Sequence, residues 1–263
     1  DGDLAEQVAY KLGWSHFKLE DFEKAREQFR KQIAADRDTP LAAEARFMEA
    51  ECHFKQQQYA QALPLFESAV AAIEAKNDRI SDVIQVLVRL HAGQTAFRLE
   101  QTEKGLGLLA PILERFPKST YVAEVRFERG KARHALGQTE AAIADLEQAT
   151  KESRTVIGAQ SRFWLGEIYF KMKKYDQAIP HYQRVMYGYG GEQASQDIKA
   201  VQSTAGYECA RCSEVQIKAE KNVNRKVKLL AEAKRCYEYV VTKHPGSRWV
   251  SEAKKRLAVL ADL

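Results

Sequence analysis

The side chains whose type and spacing suit chemistry best are the cysteines. Cys209 and Cys212 form a Cys-x-x-Cys pair, and Cys236 and His244 would complete a tetrahedral zinc set on paper. No second closely spaced pair accompanies them, and the run around 209–212 has helical periodicity. Cysteines so placed read as small buried apolar residues, and no metal is expected. Whether Cys236 joins Cys209 or Cys212 in a disulfide depends on geometry that spacing does not supply. With Cys52 the chain has four cysteines, too few for a disulfide framework and silent on the redox compartment. The six histidines (His16, His53, His91, His134, His181 and His244) are scattered, and His16 and His53 fall at equivalent places in a repeat. There is no His-Glu-x-x-His, no Gly-x-Ser-x-Gly and no Gly-x-x-x-x-Gly-Lys. Tyr187-Gly188-Tyr189-Gly190-Gly191 follows a helical stretch rather than a strand, so it reads as a loop and not as a nucleotide cradle. The carboxylates sit on polar helix faces without acid–base pairing. The expectation is a chain with no catalytic residues and no cofactor.

The elements that carry these side chains are helices in pairs. Small residues recur at an interval of twelve: Gly13 and Ala25, Ala50 and Ala62, Gly93 and Gly105, Gly130 and Ala142, Gly166 and Ala178. Four residues after each second member stands a large side chain: Phe29, Phe66, Leu109, Leu146 and Tyr182. Two helices that cross closely need small residues at the contact and bulky neighbours at helical spacing around it. A short polar turn lies between the members of each pair, for example Leu19-Glu20-Asp21 and Gln56-Gln57-Gln58. Each unit is therefore helix, tight turn, antiparallel helix, with steps between units of 37, 43, 37 and 36 residues. A sixth, stretched unit takes Ala210, Ala233 and Tyr237 as its anchors, with an insertion around Lys218–Lys228. The repeats are expected at 6–38, 42–77, 83–117, 121–153, 157–191 and 200–245. A capping helix over 247–263 follows, with Ser247 as N-cap and Lys254, Lys255 and Arg256 on its wet face. Pro64 and Pro180 fall in the opening turns of second helices, where a missing N–H costs little. Pro111 predicts a kink or a late helix start.

Composition agrees. Hydrophobic residues make up 45% of 263, and the 41 basic and 36 acidic residues leave a net charge of +5. That balance does not suit a dedicated nucleic-acid binder, and no apolar run is long enough to span a membrane. The start at Asp1-Gly2-Asp3, with no signal pattern, reads as a piece of a longer chain, so a targeting segment is expected outside it.

The pattern resembles the tetratricopeptide repeat (TPR) over nearly the whole chain. The linkers Phe116-Pro117-Lys118-Ser119-Thr120-Tyr121-Val122-Ala123-Glu124 and His244-Pro245-Gly246-Ser247-Arg248-Trp249-Val250-Ser251-Glu252-Ala253 resemble those of bacterial cell-envelope TPR proteins. Outer-membrane-assembly lipoproteins and the periplasmic coordinator of the Tol–Pal system are of that type. The resemblance implies an all-α, right-handed α-α superhelix of about six units, acting as a scaffold for protein or peptide partners in the cell envelope or periplasm. It also implies that first helices line a concave groove. The groove residues are then Tyr10, Trp14 and Phe17; Phe47, Glu51 and Phe54; Leu90, Gln94 and Phe97; Phe127, Lys131 and His134; and Phe163, Glu167 and Phe170. Such an aromatic row suits an apolar peptide, although phenylalanines at this spacing also serve as inter-repeat core. Arg46, Arg89, Arg126 and Arg162 precede the first aromatic of their units and form a possible basic flank, or a solvated face paired with residues such as Glu124 and Glu167. A clamp for chaperone C-termini needs lysine and asparagine where Tyr10 and Trp14 stand, and is disfavoured. Two other readings stay open: a regulatory or docking arm of a larger enzyme, and an RNA-binding helical repeat. The basic run Lys218, Lys221, Arg225, Lys226 and Lys228 reads as the solvated tip of a helical hairpin.

Overall fold

The computed structural model describes residues 2–34, 39–76 and 79–262. The expected repeat limits at 38 and 77 and the end of the cap at 263 lie outside these residues. Among the described residues there are thirteen α-helices and no strand. They run α1 (Gly2–Lys18), α2 (Phe22–Ala34), α3 (Pro40–Lys55), α4 (Tyr59–Glu74), α5 (Asp82–Arg98), α6 (Thr102–Arg115), α7 (Val122–Ala135), α8 (Thr139–Glu152), α9 (Val156–Lys171), α10 (Tyr175–Gly188), α11 (Gln196–Ala219), α12 (Val223–Lys243) and α13 (Val250–Ala261). A 3₁₀ turn, Gly191–Gln193, falls between α10 and α11. Among the described residues no helix is long and apolar enough to cross a membrane.

The first five hairpins turn by one device. Glu20, Gln57, Glu100, Gly137 and Lys173 have φ of 61°, 59°, 60°, 75° and 59°, in the left-handed region. The next N–H then reaches back five residues into the first helix: Asp21 to His16, Gln58 to His53, Gln101 to Ala96, Gln138 to Arg133 and Lys174 to Tyr169, each at 2.9 Å. This is the Schellman closure, which satisfies helix-end carbonyls and reverses the chain at once. The small residues then meet the large ones of the second helix. A Cβ on Gly13 would lie 2.7 Å from the Phe29 ring, on Gly93 or Gly130 2.8 Å from Leu109 or Leu146, and on Gly166 2.6 Å from Tyr182. Ala50 and Phe66 are buried in the same way.

Four details differ from the sequence-based expectation. Pro64 and Pro180 do fall in the opening turns of α4 and α10, but as the sixth residues of helices that the Schellman turn starts at Tyr59 and Tyr175, beyond the positions where a missing N–H costs little. Each therefore removes one real i→i−4 bond, tolerated because both prolines are exposed and water can reach the freed carbonyl. Pro111 neither delays nor interrupts α6, whose start is set by its turn and by Gly105 under the Phe97 ring. Ser247 is not the N-cap of α13: it accepts from the Trp249 N–H at 3.2 Å one turn early, and the helix begins at Val250. Arg256 also leaves the wet face, pairing instead with the buried Glu214 of α11.

The sixth hairpin is built otherwise. α11 and α12 have 24 and 21 residues, and their link contains no left-handed residue. Asn222 caps α12 through the Arg225 N–H at 3.0 Å. Residues 221–228 are all exposed, so the extra length is a solvated helical tip. Ala210 and Ala233 are buried, and a tight approach falls at Gly206, where a Cβ would lie 2.9 Å from Val240.

The chain divides into two compact units, residues 1–125 and 126–263. The first is packed around Phe29, Phe47, Phe66 and Ile73, with a second cluster at Val86, Leu90, Leu109 and Ile112. The second is packed around Tyr182, Val185, Tyr237 and Val240, with a smaller cluster at Leu146, Leu165 and Ile168.

Candidate protein-binding surface

In the first unit the first helices are α1, α3 and α5, and side chains one repeat apart are joined in a ladder. The Tyr10 hydroxyl donates to Glu44 at 2.9 Å, His91 Nδ1 lies 2.6 Å from Glu51, and Gln94 donates to Glu124 at 3.0 Å. Burial of its ring pushes the Tyr10 phenol well above its usual range, with the Glu44 carboxylate adding to the shift. Phe54 stacks on the His91 imidazole with planes 2° apart, and Phe47 leans on the same ring at 6.1 Å. Trp14 meets Phe17 edge-on at 5.7 Å and lies under Lys18, while Phe17 continues to Phe22. The row is therefore present but largely engaged. Phe47, Glu51 and Leu90 are buried; Tyr10, Trp14, Phe17, Phe54, Gln94 and Phe97 are half-buried and keep one side towards solvent.

In the second unit Phe127 is buried under the Lys131 ammonium, and Lys131 pairs with Glu128 at 2.9 Å. His134 touches the Trp164 ring edge-on, with Lys171 Nζ 3.5 Å from its Nε2. Burial, then the Lys171 charge, lower its pKa. Phe163 packs on Tyr182, whose hydroxyl donates to Glu167 at 2.6 Å, and Phe170 lies between Tyr175 and the Arg211 guanidinium.

The four flank arginines do not share one environment. Arg89 is 1% exposed, bonded to the Gln85 carbonyl and to Glu74. Arg126 pairs with Glu152 at 3.0 Å, Arg162 donates to Thr150 at 3.1 Å, and among the described residues Arg46 reaches its own helix at the Ala42 carbonyl. Arg89 and Arg162 thus reach the preceding second helix and Arg126 the following one, rather than Glu124 and Glu167, and Arg89 is withdrawn from the surface. The strongest charge cluster was not visible in the sequence: the buried Asp145 receives Arg129 at 2.5 and 2.8 Å and Arg133 at 2.8 Å.

The four-residue metal set does not assemble. Among the described residues, Cys209, Cys236 and Glu232 come together, without Cys212 or His244. His244 instead lies edge-on to Tyr239 at the end of α12.

The repeated helical hairpins define a helical-repeat protein. A sequence profile of the tetratricopeptide repeat matches residues 10–77 and 127–192, about half of the chain. The chain belongs to the tetratricopeptide-repeat family, whose members are in general non-catalytic scaffolds for other proteins. No curated protein sequence matches it. Its fold is similar to PilF of Pseudomonas aeruginosa (TM-score 0.61, 15% identity, covering 97% of this chain and 100% of that one). It is similar also to BtubC (BKLC) from P. vanneervenii (TM-score 0.61, 14% identity, 87% and 92% covered). A third similar structure is MamA from Desulfovibrio magneticus RS-1 (TM-score 0.59, 13% identity, 69% and 93% covered). At these identities the likeness is one of fold.

Proposed function

We propose that the chain binds partner proteins or peptides on the first-helix faces of its repeats, without chemistry of its own, and serves a bacterial cell-envelope assembly. One observation supports the surface. The second-helix anchors Phe29, Phe66 and Leu109 are fully buried, whereas Trp14, Phe17, Phe54 and Phe97 on first helices are only half-buried. An apolar peptide laid there removes their remaining area from water, at about 25 cal/mol per Å². The half-buried Glu44 and Glu124 border this face in the first unit, favouring a partner with basic groups there. Lys131, Lys171 and Arg211 favour acidic groups in the second. The envelope setting rests on the linkers 116–124 and 244–253.

The test is site-specific photo-crosslinking in cells. A photoreactive residue at Gln94 or Lys131 captures the partner, whereas one at Glu67 or Lys104 on second helices does not. Trp14→Ala then weakens binding of the purified partner about tenfold, the usual cost of removing a central aromatic. Capture from the second-helix positions alone would move the site off the first helices.

A further inference from the structure

The geometry points to an intramolecular disulfide between Cys209 and Cys236, a covalent clamp across the sixth hairpin. Both side chains are fully buried, one on α11 and one on α12, with their sulfurs in hydrogen-bond contact at 3.1 Å. A disulfide requires close backbones as well as facing sulfurs. Gly206, one turn before Cys209, supplies that closeness: a Cβ there would sit 3.5 Å from the Cys236 carbonyl oxygen. Cys212 is nearer to Cys209 in sequence, but among the described residues the sulfur–sulfur contact joins Cys236 to Cys209, while burial, with the Glu208 and Glu167 charges, holds the Cys212 thiol protonated.

A metal ion fits the same atoms poorly. Glu232 Oε1 is 3.4 Å from the Cys236 sulfur, yet Arg235 donates to both carboxylate oxygens at 2.8 and 2.7 Å, and Gln183 donates at 2.6 Å. The carboxylate is satisfied and its charge neutralised. Contact with Cys209, then burial, also pushes the Cys236 thiol far up, against the thiolate that a metal requires.

The chemistry is thiol–disulfide exchange with a disulfide-bearing oxidant, R–S–S–R. One cysteine, as thiolate, attacks an oxidant sulfur, forming a mixed disulfide and releasing R–S⁻, which takes up the proton. The second then displaces R–S⁻ from the first, so two cysteine thiols are oxidised and two R–SH are produced. Sealed thiols cannot meet such an oxidant, so the bond forms before α12 docks on α11. Once docked, the same burial hides it from reductants.

The test folds the whole chain in a glutathione redox buffer or in dithiothreitol, then denatures it and alkylates free thiols for intact mass and peptide mapping. In the glutathione buffer two of the four cysteines escape alkylation, and the crosslinked peptide joins 209 to 236. A Cys52→Ala/Cys212→Ala variant keeps the bond; Cys209→Ala and Cys236→Ala each lose it. The oxidised chain melts higher by on the order of 5–10 °C, because the bond closes a long loop in the unfolded chain. Four alkylated cysteines after oxidative folding, a bond mapped to Cys212 or Cys52, or stoichiometric zinc retained by the purified protein would each overturn the assignment. The wild-type mapping decides the matter even where a variant fails to fold.

Discussion

The first five hairpins and the sixth solve the same problem in two ways. In the first five, a left-handed residue and a five-residue back-bond set the turn, and the turn sets which small residue faces which large one. In the sixth, longer helices meet through an extended link capped by Asn222, and the register is held at Gly206, at the facing cysteines and by α13. There Tyr207 stacks on Trp249 at 4.3 Å and Arg256 pairs with Glu214. A repeat whose turn dictates its register can be copied along a chain, whereas a hairpin whose register comes from side chains is a single construction. It also leaves its tip free to lengthen into solvent.

The largest difference between the two is expected where helices touch. Glycine inside a helix costs about 1 kcal/mol relative to alanine, so each Gly→Ala change begins with that gain. At Gly166 the new methyl meets Tyr182 at 2.6 Å, and that ring is fully buried and tied to Glu167. Overpacking there outweighs the propensity gain, and Gly166→Ala destabilises by about 2 kcal/mol. At Gly206 the obstacles are the buried Val240 at 2.9 Å and the half-buried Tyr239 at 3.0 Å, a few tenths of an ångström less overlap than at Gly166. Gly206→Ala is therefore within about 1 kcal/mol of neutral. Urea denaturation of the two variants measures the contrast; equal costs would show that both hairpins depend on the close contact to the same degree.

Acid should separate the two in opposite directions. His181, in α10 of the fifth hairpin, stacks on Tyr169 at 5.4 Å, and its Nδ1 is buried without a partner. Burial, then the Arg162 charge, lower its pKa from 6.5 to about 4. The unfolded chain binds that proton first, so the stability it represents is complete above pH 6.5 and is lost as pH falls towards 4. After allowance for partial solvent screening the loss is about 2 kcal/mol. Glu208, on α11, has the reverse sign: burial raises its pKa despite Arg211 at 2.7 Å. Protonation favours the folded form there, so α11 gains as pH falls towards the ordinary carboxylate range. Hydrogen exchange at pH 5 should therefore show α10 losing protection relative to pH 7 while α11 does not. His181→Leu should remove the loss, and a loss that persisted in that variant would assign the acid sensitivity elsewhere.

The parts of this architecture that were legible in the sequence are those that repeat. The twelve-residue interval located all five regular hairpins because the turn leaves the two helices one possible register. Gly13 against Phe29 and Gly166 against Tyr182 are its direct consequences. The turn device itself left no trace, since four of its five left-handed positions carry Glu, Gln or Lys rather than glycine. The row of aromatics on the first helices was legible, but the ladder Tyr10–Glu44, Glu51–His91 and Gln94–Glu124 that engages it was not. Complementary residues one repeat apart were its only signal. The cysteine pair was hidden for a different reason. Cys209 and Cys236 are 27 residues apart, and which thiols face depends on the length of an irregular link that periodicity does not describe.

The smallest effect tests the turn alone. A non-glycine residue in the left-handed region costs about 1 kcal/mol or more, partly offset because glycine adds freedom to the unfolded chain. Glu100→Gly, at an exposed turn with φ 60°, should therefore stabilise the chain by roughly 0.5–1 kcal/mol. Lys221→Gly, in a link with no left-handed residue, should instead lose about 0.5 kcal/mol. Gly137 provides the reverse measurement: its φ is 75°, and a Cβ there would meet nothing within 4 Å, so only the backbone opposes it. Gly137→Ala should cost about 1 kcal/mol by that backbone preference alone. A gain at Glu100, a loss at Gly137 and a loss at Lys221 together would mean that the left-handed residue sets the regular hairpins and has no counterpart in the sixth. The same sign at Glu100 and Lys221 would mean that both links are governed by chain entropy, and the distinction between the two designs would fail at the turn.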